Sequence, residues 1–309
     1  MKRFLIRTVL LFIVPVFLGL AACEYFLRKI PNDYQYKNEW LSKNSNSVKI
    51  INFGSSHGYY GVNPKFFSHS AFNAAHVSQG IKYDHFIFNK FISNMDSLKV
   101  AIFTISYFSL PSISPEKEED WRIKYYSIFY DCKYHQYRPK YNLEICPRLD
   151  PLMILNSMLG KANHRKVDSL GWCSSSQLLR NESEWEYDGV AAAQRHTHIS
   201  MDSTIVNENV RRLDEIIQIC QKKRISVILL TTPTYNTYRN NLKKGQLDIM
   251  FKYACLFENK YDNVYYINLL DSDYFVQEDF MNSDHLNAFG AEKLTTLLDH
   301  YIDSLQLIK

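Results

Sequence analysis

Five short apolar runs separated by stretches of helical periodicity predict an α/β fold, a three-layer flavodoxin-like sandwich around a parallel five-stranded sheet. Three observations carry this. The runs at Val48–Phe53, Ala71–Val77, Lys99–Ser106, Ile225–Pro233 and Val264–Leu270 are nearly continuous in apolar residues, as expected of strands buried on both faces. Apolar stripes at helical spacing lie between them, at Phe86, Ile87, Phe91 and Ile92, and again at Val210, Leu213, Ile216, Ile217 and Cys220. A last stripe, at Leu294, Leu297, Leu298, Tyr301, Ile302 and Leu305, follows the fifth run. Right-handed crossovers then place helices on both faces, and strand order 2-1-3-4-5 puts the ends of strands 1 and 3 at the switch point of the sheet.

The chain opens on a targeting segment, residues 1–30. Lys2, Arg3 and Arg7 precede the almost wholly apolar run Thr8 to Cys23, and a bilayer core needs about 20 such residues for a helical span. This predicts a transmembrane signal anchor with its positive end in the cytoplasm and residues 31–309 outside it, in a bacterial cell the periplasmic or outer face. Leu20-Ala21-Ala22-Cys23 also resembles a lipobox, which would make Cys23 a lipidated N-terminus. The absence of a polar tether after Cys23 favours the anchor. Residues 31–47 are polar and rich in Lys, Asn and Ser, and read as a juxtamembrane stem or linker.

At 309 residues with 46% hydrophobic content, the rest suits one domain carrying an insertion. The net charge of +4 is not gathered into a basic arm or stripe, which sets nucleic acid aside as a partner.

The first strand ends in Gly54-Ser55-Ser56, so a serine stands at the carboxyl edge of the sheet, where open α/β folds gather their reactive side chains. A serine hydroxyl is a weak nucleophile and needs a base. The candidate base is His285, in Asn282-Ser283-Asp284-His285-Leu286-Asn287-Ala288-Phe289-Gly290, just before the last helix. Asn63-Pro64 reads as a cap with proline opening a short helix.

Residues 111–203, after the third strand, break the βα rhythm. They are rich in Tyr, Trp, Arg and His and hold Cys132, Cys146 and Cys173, two of which could pair outside the cytoplasm. Aromatic and Arg side chains around a cleft suit sugar rings and acidic groups, although aromatics are more often core. His196-x-His198 lacks a neighbouring carboxylate or Cys and reads as surface, so no metal site is expected. Cys220 and Cys255 lie on helical patterns and read as buried thiols.

The Gly-x-Ser turn after the first strand, with the acid-His-Leu-Asn-x-x-Gly stretch before the last helix, resembles the SGNH/GDSL hydrolase superfamily. It is most similar to the membrane-anchored bacterial branch that includes polysaccharide O-acetylation and teichoic-acid D-alanylation proteins, in which Gly-Ser-Ser replaces Gly-Asp-Ser. The likeness covers residues 46–110 and 204–305. It implies Ser56 as nucleophile, His285 as base, and backbone N–H groups of Ser56 and Gly80 as oxyanion donors. The Gly-x-Asn-Asp block expected after strand 3 is replaced by Ser106-Tyr107-Phe108-Ser109, which leaves Ser106 or a backbone amide to complete the oxyanion site. The aspartate expected three residues before the histidine is Asn282. A Ser56–His285 dyad oriented by Asn282 is therefore expected, with Asp284, adjacent to the histidine and expected to diverge from it, as a replacement acid.

The resemblance implies acyl transfer or ester hydrolysis on a cell-surface polysaccharide or an acylated small molecule, without a cofactor, and a membrane protein as acyl donor. The alternative is a non-catalytic glycan-binding or assembly factor that has kept the fold.

Overall fold

The computed structural model describes residues 1–113, 115, 119–146, 150–174, 181–198 and 202–308, so parts of the 111–203 stretch lie outside the described residues. In chain order the helices are α1 (Lys2–Arg28, with a π-helical stretch at Val9–Ile13), α2 (Asp33–Asn44), α3 (Ser56–Gly61), α4 (Ile81–Phe91), α5 (Ile123–Phe129) and α6 (Pro139–Asn142). They continue with α7 (Pro151–Met158), α8 (Glu182–His196), α9 (Ser203–Lys222), α10 (Asn236–Arg239), α11 (Lys244–Lys260) and α12 (Ala288–Ser304). The strands are β1 (Ile50–Phe53), β2 (Ala71–Asn73), β3 (Val100–Thr104), β4 (Ser226–Thr231) and β5 (Val264–Asn268).

All five strands pair in parallel in the order β2-β1-β3-β4-β5. The fold class read from the sequence is the fold observed. Ile50, Val100, Ile102, Ile228 and Leu230 pack on one face with Leu294, Leu298 and Ile302 of α12. On the other face Phe53 stacks on Phe103 with ring centroids 5.0 Å apart, and Phe88 of α4 meets both edge-on. Burial on both faces is why the strands read as continuous apolar runs.

The chain forms two compact units, residues 1–38 with 120–166, and residues 39–119 with 167–309. The second holds the sheet. In the first, Leu27, Ile30 and Ile154 form a small core against which Cys23, Ile145, Met153 and Ala162 pack. Arg28 pairs with Glu24 at 2.6 Å and donates to the Asn142 carbonyl, and Lys124 pairs with Glu144 at 2.6 Å. Tyr34 stacks on Tyr125 at 5.0 Å. Helix α1 has a mean hydropathy of 2.4 over its most apolar window and is long and apolar enough to cross a membrane.

Two local expectations are corrected. Residues 33–44, read as a linker, form α2, whose inward positions are Tyr34, Lys37 and Leu41. A lysine in the middle of that stripe hides its helical spacing in the sequence. Cys255 is exposed on α11, whereas Cys220 is buried on α9, which pushes its thiol well above the ordinary value. No disulfide is formed among the described residues.

Candidate active site

β1 delivers Ser56 through a turn that only glycine fits. Gly54 has φ +129°, and a Cβ there would lie 2.8 Å from Thr104 Cβ and 3.2 Å from the Thr104 carbonyl oxygen. Helix α3 starts directly at Ser56, and its underside is tied to the sheet by a buried polar network. Asn73 Nδ2 donates to the carbonyls of Gly58 and Val62 at 2.8 and 2.7 Å. Asn52, its partner across the β1–β2 register, donates to the Gly58 carbonyl and to Asn73 Oδ1, both at 3.2 Å. Asp84 of α4 lies below the turn and accepts from Gln79 Nε2 at 2.7 Å and from the Gly54 amide. Burial pushes its carboxyl up to about 7, against those two hydrogen bonds.

His285 arrives from the loop before α12. A bridge between Phe280 and Leu286 and the hydrogen bond from Met281 N to the His285 carbonyl, at 3.0 Å, curl this loop tightly. Asn287 caps α12 by accepting from the amides of Phe289 and Gly290, and Gly290 allows close approach, since a Cβ there would meet the Asp279 carbonyl oxygen at 2.1 Å. His285 Nε2 then stands 2.8 Å from Ser56 Oγ, within hydrogen-bond reach. Ser55 is a different case, because its hydroxyl is buried and makes no hydrogen bond.

On the other side of the ring, His285 Nδ1 lies 3.1 Å from Asn282 Oδ1, which also accepts from the His285 amide at 2.9 Å. Asp284, expected to diverge from the imidazole, instead brings Oδ1 to 3.0 Å of the same Nδ1. The curl of the loop is the reason, since it folds the side chains of residues 282, 284 and 285 to one side where an extended strand would alternate them. Asn282 Oδ1 and the Asp284 carboxylate thus both stand beside Nδ1 of the ring.

Asp284 is fully buried among three imidazoles. His57 Nε2 is 3.7 Å and His196 Nδ1 3.9 Å from its Oδ2. Burial alone would raise the Asp284 carboxyl, but the adjoining His285, together with hydrogen bonding from His285 and His57, outweighs it and holds the group well below the usual carboxylate range. Burial lowers His57, and it drives His196 down to about 3, so both rings are neutral at neutral pH. His196 Nδ1 also lies 2.9 Å from Tyr238 OH. Helix α8, which carries His196, is held within the sheet unit by Trp185 in the core, by Gly189 close to Thr237, and by Asp188, which accepts from the amide and hydroxyl of Ser283.

Ser106 is placed differently from its expected oxyanion role. Its Oγ lies 2.8 Å from His57 Nδ1, and its amide donates to Ser109 Oγ. The Ser106 hydroxyl therefore faces the His57 ring. Gly80 immediately precedes α4, and its carbonyl accepts from the amides of Tyr83 and Asp84. The donor atoms of His57, Asp284 and His285 lie within 4.8 Å of one another.

His57, His196, Asn52 and Asn73 complete the site beyond the residues the sequence singles out. His57 adjoins Ser56 in the turn motif, a signal that was available. His196, expected at the surface as half of an isolated His-x-His, instead lies largely buried beside Asp284 and Tyr238.

Among protein-family models, and among curated proteins, none matches the chain. Solved structures with a similar course include a provisionally described platelet activating factor from Streptococcus pneumonia, at 10% identity and a TM-score of 0.44, covering 94% of this chain and 97% of that one. A provisionally described acylhydrolase from Bacteroides fragilis NCTC 9343 matches at 9% identity and a TM-score of 0.41, over 87% of this chain and 96% of that one. A GDSL-like lipase from Bacteroides thetaiotaomicron VPI-5482 matches at 8% identity and a TM-score of 0.42, over 89% of this chain and 100% of that one. At these scores the site's chemistry rests on its own geometry.

Proposed function

We propose that the protein is a serine-dependent acyl-transfer enzyme of the SGNH/GDSL type, an esterase or O-acyltransferase. The observation that carries this is the 2.8 Å contact between Ser56 Oγ and His285 Nε2, with a charged Asp284 behind the ring. Ser56 Oγ attacks the acyl carbonyl while His285 Nε2 takes its proton, and the imidazolium formed is stabilised by Asp284 and held in place by Asn282. The amides of Ser56 and Gly80 are the proposed donors to the oxyanion. His285 returns the proton to the leaving oxygen, leaving an acyl-Ser56 ester. A water or an acceptor hydroxyl, deprotonated by His285, then takes the acyl group.

The N-terminal helix, with Lys2, Arg3 and Arg7 at its start, supports a single-pass anchor with the catalytic residues outside the cytoplasm, near a bilayer. Together with the likeness to the O-acetylation branch, this supports the proposal of a cell-surface polysaccharide or an acylated small molecule as substrate and a membrane protein as acyl donor.

The full chain should react covalently with a serine-directed fluorophosphonate, with the label on Ser56 by peptide mapping, and Ser56→Ala should abolish it. No labelling of the folded wild-type chain would favour the non-catalytic glycan-binding or assembly role.

A further inference from the structure

Helix α7 carries an apolar face that its own unit does not cover. Leu152, Leu155, Met158 and Leu159 are 66%, 51%, 55% and 56% exposed, and positions 152, 155 and 159 share one side of the helix. The opposite side is anchored. Ile154 packs on Leu27 and Ile30 in the turns that end α1, and Ser157 Oγ donates to the Phe26 carbonyl. Asp150 caps the helix by accepting from the amides of Leu152 and Met153 at 3.0 and 3.1 Å. The exposed face therefore belongs to a formed element held at a fixed place on α1.

That place is the end of the apolar run. The run closes at Cys23, and the next turn carries Glu24 and Arg28, paired with each other and with the backbone of Ile145 and Asn142. At 1.5 Å per residue, Phe26 stands roughly 5 Å beyond Cys23 along the helix, the depth of a headgroup layer. Tyr25, 57% exposed with Lys29 Nζ 5.3 Å from its ring centroid, is of the type that marks a membrane–water interface. Lys161 and Lys166, which follow α7, are exposed and basic, suited to lipid phosphates.

We propose that α7 is an interfacial helix, and that Leu152, Leu155, Met158 and Leu159 enter the outer leaflet of the bilayer that α1 spans. The proposal rests on the reading of α1 as a membrane anchor. Interfacial helices bury such a face about 5–10 Å into the headgroup–acyl boundary, which matches the level at which α7 is fixed. With α1 it gives the 1–38 and 120–166 unit two points of membrane attachment.

The test uses the full native chain in liposomes containing a lipid with a photoactivatable diazirine on its acyl chain, with adducts mapped by peptide mass spectrometry. Adducts are expected in α1 and in 150–159, the latter at least tenfold above peptides bearing Tyr187, Leu256 and Phe289, which are exposed apolar residues of the sheet unit. Adducts in α1 but none in 150–159 would overturn the proposal and leave the anchor standing. Adducts in neither would overturn both. Labelling of 150–159 no stronger than at Tyr187, Leu256 and Phe289 would reduce the face to an ordinary exposed surface and also overturn it.

Discussion

Asp284 Oδ1 lies 3.0 Å from Nδ1 of His285, the residue that directly follows it. Neighbouring side chains rarely converge in this way, and here the curl between Phe280 and Leu286 brings them together. Two groups therefore share Nδ1. In the proposed mechanism Asn282 supplies direction and Asp284 supplies the charge that stabilises the imidazolium formed during attack. In serine proteases an Asp-to-Asn change at the corresponding role costs about four orders of magnitude in turnover. Asp284→Asn is expected to lower kcat on an activated acetyl ester by about 10²–10⁴, and Asn282→Ala by less. Adding a second carboxylate beside Asp284, as in Asn282→Asp, should bring no gain, because like charges oppose each other there. The opposite ranking, with Asp284→Asn near wild type and Asn282→Ala inactive, would move the role to the amide.

The sheet was legible because strands buried on both faces leave unbroken apolar runs, and Ser56 and His285 were legible because each sits at a turn beside such an element. The position of Asp284 was not. Adjacency in sequence argues for divergence, and only the loop's curl, set by a bridge and by the Asn287 cap, reverses it. His196 was hidden for a related reason, since its approach to Asp284 depends on how α8 packs through Trp185, Asp188 and Gly189. Asn52 and Asn73 look like polar interruptions in apolar strands, and their purpose appears only when the carbonyls of α3 are seen above them.

That network makes a stability prediction. Removing the Asn73 amide strands the buried carbonyls of Gly58 and Val62, and each unmet group costs about 1–3 kcal/mol. Asn73→Ala should therefore lower the urea midpoint of unfolding clearly. It should also reduce activity per folded molecule, because α3 carries Ser56. A variant as stable as wild type would show that the network is dispensable.

Asp84 should give the fold an unusual pH dependence. Its carboxyl is pushed up to about 7 by burial, against a value of 3.8 in the unfolded chain. Between about pH 4 and 7 the folded protein keeps a proton that the unfolded chain has lost, so this group's contribution to stability falls as pH rises through that window. The full effect is on the order of 4 kcal/mol. Asp84→Asn keeps an acceptor for Gln79 and cannot ionise. Urea unfolding at pH 5 and pH 8 should show the variant gaining on wild type at the higher pH, and equal differences at both would remove Asp84 as the source.

His196 should act with the opposite sign. Its folded value is about 3, lowered mainly by burial and only partly restored by Asp284, against 6.5 for an unfolded histidine. Below pH 6.5 the unfolded chain takes up a proton that folded His196 does not, so stability falls as pH drops from 6.5 toward about 3. Replacing it by Phe keeps a ring against Phe108, whose centroid lies 4.3 Å away, and removes the titration, at the cost of the contact with Tyr238 OH. His196→Phe is therefore expected to be less stable than wild type at pH 7 and to lose less of its stability on acidification to pH 4.5. In activity assays kcat should fall modestly, because Asp284 keeps its charge through His285 and His57, while the rate lost to Ser56→Ala should be nearly complete. Parallel pH–stability curves for His196→Phe and wild type would mean that the ring is not buried in its neutral form, and would detach it from the Asp284 cluster.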